Sequence, residues 1–108
     1  EAQRTALYHQ EQRIQDQLAI ELENILIEID TASQLRSLAE IDVQQSLAMQ
    51  EAENRRFQNG ASDFFVVNVR EETAANAQIQ RYSSILAQWT AHANYIAATM
   101  DFSALRIN

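Results

Sequence analysis

Apolar residues recur at spacings of three and four along residues 4 to 57, which predicts one long helix with no glycine or proline to break it. Arg36 occupies a position in the main apolar row where an apolar residue would fit. The row is Leu18, Leu22, Ile25, Ile29, Ala32, Ala39, Val43 and Leu47. A second, sparser row lies off the first at Ile20, Ile27, Leu38 and Ile41. Because one neighbouring helix covers only one face, we expect another helix or subunit to cover the second row.

A second helix is predicted from about residue 64 to 100, and it carries the most regular pattern in the chain. Its apolar positions alternate at spacings of four and three, the heptad pattern of a coiled coil. We call these positions the heptad row: Ala75, Ile79, Tyr82, Leu86, Trp89, Ala93, Ile96 and Met100. We expect this row to pack on a partner helix, with Tyr82, Trp89 and Tyr95 in a core. Residues 101–108 are predicted to form a tail.

The two helical patterns are interrupted only at residues 58–63, which we call the tip. Gly60 is the only glycine in the chain. Glycine adopts positive φ readily, so it can end the first helix. Ser62 or Asp63 can then cap the second helix. The apolar run that follows is predicted to form the first helical turns, in which Phe64 and Phe65 either close the hairpin end or meet a partner.

The fold predicted from these patterns is all-α: a single long antiparallel helical hairpin, or coiled coil, over residues 1–108. At about 1.5 Å per residue the first helix would be roughly 80 Å long, so we expect an elongated molecule. An uncovered apolar face would make the isolated chain self-associate, for example as an antiparallel four-helix bundle. We also expect the chain to be a piece of a longer protein.

Composition narrows the classes of function. The net charge is −7, from 15 acidic residues and eight arginines, which disfavours binding to nucleic acid or to anionic lipid. Neither His9 nor His92 has a carboxylate at helical metal-ligand spacing, and cysteine is absent. We therefore predict no enzyme activity, catalytic residue, cofactor or metal. Arg55 and Arg56 either complement the end of a helix or form a docking contact.

Residues 50 to 100 resemble the outer-membrane efflux protein family, the TolC-like channels. Phe57 stands three residues before Gly60, and an apolar run with Phe64, Phe65 and Val67 follows. The segment 68–72, Asn-Val-Arg-Glu-Glu, is similar to the Asn-x-Arg-Glu variant of that family. The alanine-rich segment 91–98 is similar to the family's closing stretch.

The resemblance implies a function in transport. Family members are trimers with a β-barrel in the outer membrane and an α-helical barrel in the periplasm. The chain would be one periplasmic hairpin of that α-barrel, without the β-strands that contact the membrane. Its tip would dock a periplasmic adaptor, or membrane fusion, protein that leads to an inner-membrane pump for multidrug efflux or type I secretion. Asn59, Gly60 and Ala61 would face the adaptor, with Phe57 and Ser62 near the pore entrance.

The chain departs from the family at the tip. Some members have arginine where Ser62 stands, tyrosine where Phe57 stands, and an acidic residue where Val69 stands. An ionic or hydrogen-bonded gate is therefore not expected at these positions. The alternative function is a structural or signalling helical coiled-coil module without a role in transport.

Overall fold

Two long helices make up nearly the whole chain. The computed structural model describes residues 1–107, with side chains through residue 104. Helix α1 is Ala2–Gln58 and helix α2 is Phe64–Ile107, and no strand occurs within residues 1–107. The predicted all-α antiparallel hairpin is confirmed. The predicted tail is helical as far as Ile107, because residues 101–107 contain no glycine or proline that would end a helix; Asn108 lies outside the described residues.

The hairpin divides into two compact units, and each unit contains a part of both helices. One unit is Ala32–Gln88 and contains the tip. The other combines Glu1–Thr31 with Trp89–Asn108.

The face of α1 that contacts α2 follows the predicted apolar row closely. Buried and half-buried residues alternate at spacings of four and three, and Arg36 is among them, as predicted. The prediction is wrong for Leu47, which is exposed. The heptad continues through Ser46, which therefore lies on the inner face instead. The inner face of α1 is Leu18, Leu22, Ile25, Ile29, Ala32, Arg36, Ala39, Val43, Ser46, Gln50 and Glu53.

The face of α2 that contacts α1 consists mainly of small and polar residues, and the heptad row is not part of it. Its members also repeat in strict heptads: Val67, Arg70, Ala74, Ala77, Arg81, Ser84, Gln88, Ala91, Tyr95, Ala98 and Phe102. At about 100° per residue, the heptad row lies roughly 150° around the helix from this inner face. Ile79 is accordingly 63% exposed and Trp89 71% exposed.

The aromatic residues of α2 therefore do not form a core within this chain. The prediction is wrong for Tyr82 and Trp89, which are exposed, while Tyr95 is half-buried on the inner face. The physical reason is that two heptad patterns run along one helix. Alanines let the backbones of two helices approach closely, and an antiparallel pair uses only one face of each helix. The heptad row, which has the larger side chains, is left on the outside.

Polar pairs across the inner face fix how the two helices align within the unit Ala32–Gln88. Arg36 Nη1 donates to Gln88 Oε1 (2.6 Å), and Arg81 Nε donates to Glu40 Oε1 (2.8 Å). The hydrogen bond from Arg81 to Glu40, together with the charge of that carboxylate, raises the pKa of the Arg81 guanidinium above its ordinary value. Each arginine must meet its acceptor, so sliding one helix by a turn would leave these groups unpaired.

Candidate functional site at the hairpin tip

The first helix ends at the tip in a Schellman motif built on Gly60. Gly60 has φ +77°, so the prediction that this glycine takes positive φ is confirmed. The Ala61 N–H donates to the Arg56 carbonyl (2.8 Å), and the Gly60 N–H donates to the Phe57 carbonyl (3.0 Å). These two bonds satisfy carbonyls that the helix end would otherwise leave free. The backbone of the tip is thus tied to the last turn of α1.

The second helix begins with a capping hydrogen bond from Asp63. Its Oδ1 accepts from the Val66 N–H at 2.9 Å, and its carbonyl accepts the first intrahelical bond from Val67. Of the two caps left open by the sequence, Asp63 is therefore the one used. The apolar run that begins at Phe64 is helical, as predicted.

A buried carboxylate lies immediately behind the tip. The Glu53 side chain is only 5% exposed and lies between two arginines. Its Oε1 is 3.6 Å from Arg70 Nε on α2, and its Oε2 is 3.5 Å from Arg56 Nη1 on its own helix. Arg56 also donates from Nη2 to the Ala61 carbonyl (3.1 Å). The tip, α1 and α2 therefore meet at one charge cluster, which we define as Glu53, Arg56 and Arg70.

The two neighbouring arginines of α1 have different roles. Arg55 donates to Glu51 (3.1 Å) in an exposed pair one turn apart, a contact that stabilises a helix by only about 0.3–0.5 kcal/mol. Arg56 instead reaches the buried Glu53 and the tip carbonyl. The sequence could not separate the two, because both stand in the last turn of a helix.

An open cleft lies beside the charge cluster. Its lining includes the buried Glu53 and the half-buried Ser62. The lining residues are Glu53, Arg56, Gly60, Ala61, Ser62, Asp63 and Val66. The cleft is thus formed by the end of one helix, the turn and the capped start of the next.

Aromatic residues are exposed on both sides of the tip. Phe57 and Phe64 have ring centroids 6.3 Å apart, and Phe65 is 75% exposed. The interpretation in which Phe64 and Phe65 close the end of the hairpin is wrong for this chain, since neither is buried. An exposed apolar tip that meets a partner remains as the other interpretation.

The residues assigned to adaptor docking and to the pore entrance lie together at this tip. Asn59, Gly60 and Ala61 are exposed, and so is Phe57. Their roles remain predictions. Sequence reasoning missed Glu53, although its place was readable: it follows Ser46 by seven residues on the inner face of α1.

Among the described residues, no three His, Asp or Glu side chains are grouped so that they could hold a metal ion. Neither helix, as far as the structure describes it, has a stretch apolar and long enough to cross a bilayer. Comparison of the chain with protein-family models, curated proteins and solved structures finds no match.

Proposed function

We propose that this chain is a periplasmic α-barrel segment of a trimeric outer-membrane efflux or secretion channel, and that its tip docks a periplasmic adaptor protein. The observation that carries the proposal is the second packing face on each helix. Only one face of α1 and one face of α2 are used inside the hairpin. The other faces have apolar residues at helical spacing and are exposed.

The angle between the two faces supports a barrel over an isolated coiled coil. A helix in the wall of a cylinder has a neighbour on each side, so it needs two packing faces that point in nearly opposite directions. The heptad row of α2 lies roughly 150° from the inner face of α2. The sparser apolar row of α1, which we call the outer row, lies at a similar angle from the inner face of α1. A two-helix coiled coil needs one face only. The outer row of α1 is Ile20, Ile27, Leu38 and Ile41, all exposed.

The tip supports the docking part of the proposal. Asn59, Gly60 and Ala61 are exposed, and their backbone is fixed by the Schellman motif. A fixed backbone loses little conformational entropy when a partner binds, which favours docking. Phe57 and Phe65 add exposed apolar surface next to these residues.

Crosslinking tests the proposal directly. The chain has no cysteine, so a single cysteine introduced at Asn59 or Ala61 is unique within it. In cells that express the complete gene with a membrane fusion protein, we expect both positions to crosslink to cysteines in the adaptor hairpin. Asn76→Cys, exposed on the side of α2, is the control and should not crosslink. No crosslink from either tip position would overturn the docking function and leave a structural coiled-coil module in its place.

A further inference from the structure

The charge cluster behind the tip contains the buried carboxylate of Glu53, and secondary structure alone does not explain why this charge is buried. Glu53 is a charged residue at an inner-face position, where burial is costly unless the charge is paired. Its carboxylate is approached by one guanidinium from each helix. Within the described residues its Oε2 has no hydrogen-bond partner, although Arg56 Nη1 is 3.5 Å away.

The position of Arg56 accounts for that missing hydrogen bond. Its guanidinium is shared between two acceptors, because Nη2 donates to the Ala61 carbonyl while Nη1 faces Glu53 Oε2. The Arg56 side chain is 62% exposed, and these two polar contacts hold its guanidinium over the turn. Arg56 also accepts the Ala61 N–H through its own carbonyl, so one residue contacts both polar backbone groups of Ala61.

We propose that Glu53 is the positioning residue of the tip: its buried carboxylate holds the Arg56 guanidinium over the turn, where Arg56 fixes the carbonyl of Ala61. Arg70 anchors the same carboxylate from α2, so the geometry of the tip depends on the packing of both helices. A long arginine side chain loses rotamer entropy when it is fixed, and an exposed hydrogen bond alone offsets little of that loss. The attraction of the buried Glu53 carboxylate offsets the remainder of this entropy loss. The inference deepens the proposed function, since Ala61 is one of the residues assigned to docking.

Amide hydrogen exchange, measured by NMR on the full chain, tests this role. Glu53→Gln keeps the shape of the side chain and removes its charge. We expect exchange at the Ala61 and Gly60 amides to rise about tenfold, as local opening of the turn becomes easier. Glu51→Gln is the matched control, because Glu51 pairs with Arg55 on the exposed side of the same turn and should leave both amides unchanged.

A double-variant cycle separates positioning from a general loss of stability. Arg56→Gln alone should raise exchange at Ala61 as much as Glu53→Gln does. Glu53→Gln added to Arg56→Gln should then raise it no further, because the path from Glu53 to the tip is already broken. Fully additive effects, or an unchanged Ala61 amide in Glu53→Gln, would overturn the proposal.

If Glu53→Gln also loses protection at mid-helix amides such as those of Ala39 and Val43, the hairpin itself has weakened, and Arg56→Gln decides instead. Because Arg56 is exposed, we expect that variant to fold, and an unchanged Ala61 amide in it would refute the proposal. The measurement needs no partner, so a failed crosslink would remove the docking function without changing the exchange result.

Discussion

Truncating one residue of the heptad row should weaken association between chains and leave the hairpin itself intact. Ile79 is suited to this test because its side chain is 63% exposed and faces away from α1. Ile79→Ala removes three carbons. At about 0.8 kcal/mol per buried methylene, full burial of these carbons is worth about 2.4 kcal/mol. The part still exposed in the single chain is therefore worth about 1.5 kcal/mol to a partner that covers it.

This magnitude predicts two separate results. At protein concentrations low enough to keep the chains monomeric, the free energy of unfolding should change by less than about 0.5 kcal/mol, as for an ordinary surface substitution. Association should weaken by about tenfold for each copy that contributes an Ile79, since about 1.4 kcal/mol is a factor of ten. In a two-fold dimer the dissociation constant would rise about a hundredfold.

The single tryptophan provides the assay. Trp89 lies on the same row and is 71% exposed, so its emission should shift to shorter wavelength when a second chain covers the row. Emission followed against protein concentration gives the dissociation constant, and sedimentation equilibrium gives the number of copies. Leu35→Ala is the matched control. Leu35 is 53% exposed, its truncation removes the same number of carbons, and it lies off both the outer row of α1 and the heptad row of α2.

Two results would refute the reasoning. If Ile79→Ala and Leu35→Ala weaken association equally, the heptad row is not the contact between chains. If Ile79→Ala lowers the stability of the monomer by more than about 1.5 kcal/mol, the residue belongs to the interior of the hairpin, and the assignment of the inner face is wrong.

Three smaller predictions concern the tip, each measured by urea unfolding at one fixed protein concentration. Gly60→Ala should lower the free energy of unfolding by about 1 kcal/mol, because a left-handed conformation costs an L-residue about 1–2 kcal/mol and the stiffer unfolded chain returns about half of that. Gly60→Asn should cost less, because asparagine tolerates the left-handed conformation better and no neighbouring atom lies within 4 Å of the added Cβ. An equal or larger cost for asparagine would contradict the argument. Asp63→Ala should cost about 1 kcal/mol through loss of the cap on the Val66 N–H, with Asp63→Asn nearly neutral; equal losses in the two variants would contradict the capping role. Phe65→Ala should change the unfolding free energy by less than about 0.5 kcal/mol, because the ring is exposed; a loss of several kcal/mol would mean that the ring is buried.

The sequence predicted most of α1 because its inner row is both apolar and regularly spaced. Leu18, Ile29 and Val43 could be placed from spacing alone. The prediction was wrong for Leu47, because this apolar residue is one position away from the heptad that the structure follows through Ser46. Hydrophobicity and spacing disagreed there, and spacing determined the packing.

On α2 the same reasoning selected a face that does not meet α1. The row with Ile79 and Trp89 is the more hydrophobic one, so a search for apolar periodicity finds it first. The row with Ala77 and Ala91 is equally regular, but alanine contributes little to such a signal. Periodicity predicts that a face is packed against something, whereas it contains no information about which neighbour covers the face.

The charge cluster at the tip was beyond sequence reasoning for a different reason. The residues of the turn itself were predictable, because Gly60 and Asp63 act on their own local backbone. Glu53 and Arg70 stand 17 positions apart on two helices, and only the packing of α1 on α2 brings them together. The heptad spacing places Glu53 on the inner face, but a glutamate in a long acidic helix is ordinarily solvated, so spacing alone does not show that its charge is buried between two arginines.

The distribution of residue sizes across the two faces of α2 has a consequence for stability. Inside the hairpin α2 contributes mainly alanine, serine, glutamine and arginine, and burying such residues yields less free energy than burying leucine or isoleucine. Several residues with large apolar surfaces, among them Trp89 and Met100, are on the outer face, where the single chain leaves them in water. The inner face is therefore suited to setting alignment through polar pairs such as Arg81 with Glu40. The larger hydrophobic contribution becomes available only when a neighbouring helix covers the heptad row, so the stability of this hairpin should depend on its assembly.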